Sequence, residues 1–233
     1  MITEKFDSWA SFKEKLQRYA NLRYETRSMH LFRGLSNVDY VLEPTLDRGR
    51  QWINDDLRSE AASVYLEEFK TEAIRLAGER DLPEGLALEL LARHSGLPSQ
   101  LLDWSESPYV AAYFAYSGAI GKKVKEIAIW NLIRAQLPDS FPEEDLIIDV
   151  TQIRFNPRAR QQRGAFLRVA KTDPPIENQL GNALRKFVLP ADEARDVVAE
   201  LDEMMVNATN LYYDLSGAAE TARYRVDGWR QTQ

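Results

Sequence analysis

The spacing of apolar residues divides the chain into predicted helices and strands. Trp9, Phe12 and Leu16 recur at helical spacing, which predicts a first helix over about residues 8–24. Residues 127–133 form an apolar run rich in β-branched side chains, which predicts a buried strand. The same patterns predict helices over about 52–76, 83–94, 108–115 and 192–205, and strands over about 30–34, 146–150, 164–169 and 184–189.

The stretch 94–115 joins the end of one predicted helix to the start of the next. Ser107 followed by Pro108 is typical of a helix start, because serine caps the N-terminus and proline suits the first helical position. Residues 109–115 are almost wholly apolar, so this helix is expected to be buried on most sides. The intervening LLDWSES, residues 101–107, is predicted to be a polar connector held between two packed helices, an arrangement typical of a binding site.

Composition favours one soluble α+β domain. The 233 residues are 44% hydrophobic, enough for a substantial core, and no internal repeat or linker is evident. We expect a helical N-terminal half and a mixed or antiparallel sheet. The absence of a leader-like or membrane-spanning run leads us to expect a cytoplasmic protein with no membrane contact.

Several kinds of chemistry are excluded or disfavoured. The chain has no cysteine, which excludes disulfides, thiolate zinc sites and cysteine nucleophiles. It also has no metal-ligand spacing, no glycine-rich phosphate loop and no Gly-x-Ser-x-Gly elbow, so we expect no metal. The net charge of −6 argues against broad nonspecific binding to nucleic acid.

One segment departs from this acidic balance. Between residues 154 and 168 five arginines occur with no acidic residue among them. They are Arg154, Arg158, Arg160, Arg163 and Arg168. Such a cluster favours a local basic face that recognises a ligand, a protein or RNA.

Four ordered elements of the chain resemble the FRG domain, a bacterial family named after its Phe-Arg-Gly signature. In the first element, residues 32–34 match that signature, and residues 44–48 resemble the Pro-x-Leu-x-Arg run that follows it in the family. Residues 94–115 resemble the family's His-Tyr-Gly-Leu-Pro-Thr-x-Leu-Leu-Asp-Trp-Thr element with its Ala-rich helix. An Arg/Gln-rich turn before Gly-x-Phe and a Leu-Phe-Pro-Asp-Leu-Asp-Gly element resemble residues 156–166 and 211–217. The resemblance implies an N-terminal helix over 1–28, an FRG domain over 29–225 and a polar tail over 226–233.

The chain departs from the family pattern at four positions. Ser99 and Ser105 stand where the family usually has threonine, which keeps the hydroxyl. Ser95 replaces a tyrosine and removes an aromatic ring, and Tyr213 replaces a proline in the last element. We therefore expect no stacking at residue 95 and a different turn at residue 213.

A second resemblance concerns ADP-ribosyltransferases of the Arg/Ser/Glu type, and it would make the fold ADP-ribosyltransferase-like. Residues 32–34, 101–105 with the following helix, and 161–164 are similar to their three motifs in order. The resemblance implies NAD as cofactor, Arg33 as the pyrophosphate-binding arginine and Ser105 as a ribose contact. The motif's glutamate is replaced by glutamine, and a neutral amide stabilises an oxocarbenium charge poorly.

Each candidate side chain also has a structural interpretation. Arg33 either binds an anion or pairs with Asp103, and His94 is favoured as a helix cap over an acid or base. Asp103 either orients His94 or caps a turn. Trp104 is favoured as a core residue over a ring that stacks on ligand.

Taken together, the motifs predict one pocket for a nucleotide or related phosphorylated small molecule. The candidate catalytic residues are Arg33, His94, Asp103, Ser105 and Gln162. The candidate cofactor-binding residues are Arg33, Trp104, Ser105, Tyr113, Gln161 and Arg163. The hypothesis is NAD-dependent ADP-ribosyl transfer or NAD cleavage. The alternatives are a noncatalytic sensor or interaction domain in phage defence or a toxin system, and an RNA-binding module.

Overall fold

A computed structural model describes residues 1–20, 30–77, 82–142, 145–147 and 157–229 of the chain. Within these residues a seven-stranded sheet has the order β1-β7-β4-β2-β3-β6-β5. Its strands are β1 Ile2–Lys5, β2 His30–Leu35, β3 Leu101–Ser105, β4 Glu126–Ile133, β5 Leu146–Ile147, β6 Gly164–Arg168 and β7 Leu184–Pro190. β1 pairs parallel with β7, and the other neighbours are antiparallel. The mixed sheet confirms the predicted α+β class.

Helices of very different length surround the sheet. They are α1 Trp9–Ala20, α2 Asp55–Ala77, α3 Gly85–His94, α4 Pro108–Ser117, α5 Pro157–Gln161, α6 Ile176–Leu180, α7 Ala194–Glu203, α8 Ala208–Tyr212 and α9 Leu215–Trp229. None of the described helices is both long enough and apolar enough to cross a bilayer. Helix α9 continues through residue 229, and the division at 28 and 225 stays a prediction.

Local sequence explains where two of these helices begin. The Ser8 hydroxyl accepts a hydrogen bond from the Ser11 amide at 3.2 Å, which caps α1 as expected for a serine in this position. The Ser107 hydroxyl accepts one from the Val110 amide at 3.4 Å, and Pro108 is the first residue of α4. Both predicted helix starts are therefore confirmed.

The sheet is covered by apolar residues on both faces. On one face α1, α4 and α7 pack against alternate residues of β4 and β7, including Ile129 and Phe187. On the other face Trp130 of β4 packs with Leu102 and Trp104 of β3 and with residues of α6. This alternation along β4 follows from the two-residue repeat of an extended strand. Helix α4 is buried on most sides, as its composition predicts.

The prediction of a polar connector over 101–107 is wrong in its first part. Residues Leu101–Ser105 form β3, an interior strand that pairs with β6 along its whole length. The strand alternates, because Leu102 and Trp104 enter the core on one face while Asp103 points away from them. The apolar residues at alternate positions stabilise a strand where the polar residues suggested a loop.

Several other predictions match the structure, and some elements were not predicted. The strands expected over 30–34, 127–133, 164–169 and 184–189 are confirmed. β1, the short helices α5, α6 and α8, and the longer helix α9 were not foreseen. Residues 21–24 and 148–150, predicted as helix and strand, lie outside the described residues. The predicted end of α3 is confirmed, with Gly96 at φ +98° just beyond it.

Candidate anion-binding cleft

A large cavity opens where β2 and β3 separate. Their register pairs Phe32 with Ser105 and no other described residues, whereas β2 pairs with β4 along its full length. The cavity has a volume of about 860 Å³ and is referred to here as the cleft. Its lining includes Phe32, Arg33, Gly34, Leu35, Ser36, Asp39, Tyr40, Val41, Glu43, Arg48, Arg93, His94, Gly96, Asp103, Trp104, Ser105, Val110, Ala111, Phe114, Lys122, Arg158 and Gln162. Polar residues from three of the predicted sequence elements thus meet in one cavity.

Arg33 crosses the gap between the two strands. Its Nη1 donates to the main-chain carbonyl of Asp103 at 2.6 Å and lies 3.8 Å from the Asp103 carboxylate. Burial lowers the pKa of Arg33 to about 10, Asp103 opposes the change, and Arg93 and Arg48 add to it. The guanidinium is still protonated at neutral pH. Arg33 therefore pairs with Asp103, as one of its two interpretations expects, and it also remains part of the cleft wall.

Arg93 is a cleft residue that sequence reasoning missed. It lies in the last turn of α3, and its Nη2 donates to Asp103 Oδ2 at 2.6 Å. Asp103 is thus shared by two guanidinium groups, and its role in orienting His94 stays a prediction. The available signal was the position of Arg93 directly before the His94 element.

Arg158 and Arg48 complete the cationic lining and were also missed as site residues. Arg158 donates from Nη1 to the His94 carbonyl at 3.4 Å. Its guanidinium carbon lies 4.3 Å from the centre of the Tyr212 ring, a cation–π contact. Arg48 is the arginine of the Pro-x-Leu-x-Arg element, and its place in that element was the signal available in the sequence.

The charges of the cleft favour an anionic ligand. Four arginines and Lys122 line it against three carboxylates, those of Asp39, Glu43 and Asp103. The Nε atoms of Arg33, Arg93 and Arg158 are buried and have no hydrogen-bond partner among the described residues. The cleft therefore has an excess of positive charge, although the net charge of the protein is −6. Low-dielectric walls strengthen the attraction of such a cluster for an anion.

Ser105 and Gln162 lie in the cleft but already use their polar groups. The Ser105 hydroxyl donates to the Gln162 carbonyl at 2.6 Å and accepts from the Ser107 amide at 2.9 Å. The Gln162 side chain donates to the Leu211 carbonyl at 3.1 Å. These bonds tie the start of α4 to the turn before β6 and that turn to α8. The catalytic and ribose-binding roles of both residues stay predictions.

His94 and Trp104 also line the cleft. The His94 ring packs against Phe166 with centroids 5.8 Å apart, at the end of α3. The Trp104 side chain is buried in the core, as favoured from its type, and its indole Nε1 has no hydrogen-bond partner among the described residues. Trp104 therefore contributes an edge of the cleft wall rather than an open stacking surface.

Three predicted cofactor contacts do not line the cleft. Tyr113 is buried and donates to Glu220 at 3.2 Å, and it lines a separate cavity beside α7 and α9. Burial raises the pKa of the Tyr113 hydroxyl, and Glu220 adds to that change. Gln161 is exposed. Arg163 is exposed, has a left-handed φ of 47°, and lies 3.8 Å from Glu106.

The arginines of segment 154–168 have separate surroundings. Arg158 faces the cleft, and Arg168 makes two hydrogen bonds to Glu89 at 3.0 and 2.7 Å. Arg154 lies outside the described residues. A shared basic face over this segment consequently stays a prediction. Among the described residues, no group of histidine, aspartate and glutamate side chains is arranged to hold a metal ion.

The close approach of α4 explains why residue 34 is a glycine. A Cβ at residue 34 would overlap the carbonyl oxygen of Ala111 and lie 2.8 Å from the Ala115 nitrogen. Helix α4 therefore approaches β2 as closely as backbone atoms allow. Phe32 enters the core beside α4, and Arg33 lines the cleft. Three consecutive residues thus supply a core contact, a side chain in the cleft wall and the close contact with α4.

Comparison with known families finds one that matches part of the chain. A model of the FRG domain matches residues 28–123, which include the Phe-Arg-Gly signature and the stretch 94–115. The elements over 156–166 and 211–217 lie outside that match and stay resemblances. No curated protein and no solved structure matches the chain. Residues 28–123 are therefore similar to the FRG domain, and the cleft between β2 and β3 is formed largely by residues of this stretch.

Proposed function

We propose that the cleft binds a phosphorylated, nucleotide-type small molecule. The observation that carries this proposal is the convergence of Arg33, Arg93 and Arg158 on one cavity, with a single carboxylate, Asp103, shared between the first two. Guanidinium groups match the geometry of phosphate oxygens and bind them with paired hydrogen bonds. A volume of about 860 Å³ lies within the range of small-molecule sites.

The chemistry proposed for this site is NAD cleavage or ADP-ribosyl transfer. In that reaction the bond between ribose C1′ and the nicotinamide nitrogen breaks, nicotinamide leaves with the electron pair, and water or an acceptor hydroxyl bonds to C1′. Arg33 and Arg93 would hold the pyrophosphate. Ser105 and Gln162 would orient the ribose after exchanging their present hydrogen bonds. Asp103, whose Oδ1 is buried and has no hydrogen-bond partner among the described residues, would stabilise the developing positive charge.

Calorimetry with ADP-ribose and NAD tests binding, and chromatographic detection of released nicotinamide tests catalysis. We expect Arg33→Ala to weaken ADP-ribose binding at least 10-fold. Arg75→Ala is the matched control, because Arg75 is exposed on α2, pairs with the neighbouring Glu72 at 2.5 Å and does not line the cleft. The absence of a heat of binding at millimolar ADP-ribose would overturn the proposal.

A noncatalytic sensor is the second candidate, and one observation favours it. The two side chains assigned to the ribose are both held by internal hydrogen bonds, Ser105 to Gln162 and Gln162 to Leu211. A sensor of this kind, in phage defence or a toxin system, binds ADP-ribose but releases no nicotinamide from NAD. Growth inhibition on expression that Arg33→Ala relieves in a folded protein would contradict it. RNA binding, the remaining alternative, predicts affinity that falls steeply with salt.

A further inference from the structure

Residues 36–43, called here the lip loop, border the cleft on its solvent side. Tyr40 and Val41 line the cleft although they are 49% and 60% exposed. The next residue, Leu42, is only 3% exposed and packs in the core. The loop therefore leaves one aromatic and one aliphatic side chain about half exposed at the cleft.

The lip loop is fixed to the sheet near its first end and to α6 near its second. The Val38 amide donates to the Glu126 carbonyl at 2.9 Å, and Lys186 donates to the Val38 carbonyl at 2.6 Å. At the other end the Leu42 amide donates to the Glu177 carboxylate at 2.7 Å. Tyr40 and Val41 are thus presented from a backbone that is already ordered, which lowers the entropy cost of using them to bind a ligand.

The charged side chains of the cleft come from two parts of the fold. Arg33, Arg93 and Arg158 come from β2, α3 and α5, whereas the carboxylates of Asp39 and Glu43 belong to the lip loop. Lys122, which donates to the Ser36 hydroxyl at 3.4 Å, is a cation beside this second part. An anion is attracted to the first part. A group that donates N–H bonds is attracted to the second, because ionised carboxylates only accept hydrogen bonds. The occupant is thereby oriented, with its phosphate inward and a donor-bearing apolar group at the lip.

We propose that the lip loop is the base subsite for a purine nucleotide whose base carries an exocyclic amino group. This inference rests on the proposed function, which supplies the phosphate end of the ligand. Tyr40 stacks on the purine ring, since every base offers a π-face to an aromatic side chain. Val41 covers the ring edge, and Asp39 or Glu43 accepts the amino N–H. Trp104 and Tyr113, the aromatic residues chosen from sequence, are buried and do not supply this surface.

Calorimetry with three probes that share a phosphate tests the subsite. They are adenosine 5′-monophosphate, purine riboside 5′-monophosphate, which lacks the amino group, and ribose 5-phosphate, which lacks the base. We expect the first to bind about 10-fold tighter than the third, with the second in between. Tyr40→Ala removes most of the difference between the first and third probes. The Asp39→Ala, Glu43→Ala double variant, which removes both acceptors, removes the difference between the first and second.

Tyr213→Asn serves as the control, because Tyr213 is 64% exposed, does not line the cleft, and has a left-handed φ that asparagine tolerates. It is expected to leave all three affinities unchanged. Equal binding of all three probes to the wild type would overturn the base subsite and leave the phosphate site intact. Failure of all three and of ADP-ribose to bind would overturn both proposals. Equal loss of affinity for all probes in Tyr40→Ala would also contradict a role specific to the base.

Discussion

Arg33 Nη1 and the Asp103 carbonyl oxygen form a 2.6 Å hydrogen bond across the gap where β2 and β3 no longer pair. The bond gives the Asp103 carbonyl a donor that the missing backbone ladder does not provide. The same guanidinium faces the cleft. One side chain therefore keeps the two strands at a fixed separation and presents positive charge in the space between them.

Because Arg33 both bonds the Asp103 carbonyl and faces the cleft, we predict that lysine cannot replace it. A single ammonium group lacks the planar fork that reaches the carbonyl and a phosphate together. We expect Arg33→Lys to fold with a lowered free energy of unfolding and to bind ADP-ribose about 10-fold more weakly, measured by urea titration and calorimetry. Arg75→Lys on the exposed surface of α2 is the control, expected to change neither quantity. Wild-type affinity in Arg33→Lys would show that charge alone is sufficient.

Gly34→Ala is predicted to disrupt the contact between β2 and α4. The added methyl group would overlap the Ala111 carbonyl, and backbone atoms cannot move away as a flexible side chain does. We expect a loss of about 3 kcal/mol or more in the free energy of unfolding, at the upper end for overpacking a close contact. Gly96→Ala is the comparison, since its Cβ meets no atom within 4 Å but its φ is +98°. That variant is expected to lose only about 1–2 kcal/mol, the cost of a left-handed residue, and equal losses would contradict the steric explanation.

The buried pair of Asp47 and Arg58 is predicted to be a major structural contact. Arg58 has no exposed surface and binds both Asp47 oxygens, at 2.6 and 2.8 Å, while its Nη1 donates to the Val169 carbonyl at 2.7 Å. Asp47→Asn leaves a buried cation without its partner, which costs about 3–5 kcal/mol. Glu72→Gln, in the exposed pair with Arg75, is expected to cost less than about 1 kcal/mol. Chemical denaturation measures both, and similar values would contradict the role of burial.

His30 is predicted to make stability depend on pH. Burial lowers its pKa from 6.5; the hydrogen bond with Asn131 opposes this change, and Arg185 adds to it. Below about pH 6.5 the unfolded chain gains a proton at this residue that the native protein does not, so the free energy of unfolding falls as pH drops. We expect His30→Gln, which keeps an amide near Asn131, to lose less stability than the wild type between pH 7 and pH 5. Equal slopes in urea titrations at the two pH values would contradict this assignment.

Strands with alternating or continuously apolar residues could be predicted from the sequence. The cleft residues could be predicted only in part. Arg33, His94, Asp103, Ser105 and Gln162 were identified because they belong to recognisable elements, and all five line the cleft. Their hydrogen bonds were not predictable, since these join residues far apart in sequence. Tyr113 shows the limit, because helical spacing does not tell which side of α4 faces the cleft and which faces α9.

Missed elements had weak local patterns. β1 is four residues long and mostly exposed, so neither alternation nor apolar content marks it. Its register is set by β7, which no local pattern contains. Arg93 and Arg158 were overlooked because arginines near helix ends are ordinary surface residues, and only the placement of α3 and α5 beside the cleft gives them a common role.

The parallel pairing of β1 with β7 has a consequence for how the chain is made. Ile2 is paired with Arg185, so β1 has no partner in the sheet until the chain has been synthesised through β7. Contacts between such distant segments slow folding, because a long loop must be closed before they form. A nascent or truncated chain that stops short of β7 would hold an unpaired strand, and an unpaired strand edge is a site of misassociation. Completion of the sheet is therefore a late event in the biogenesis of this protein.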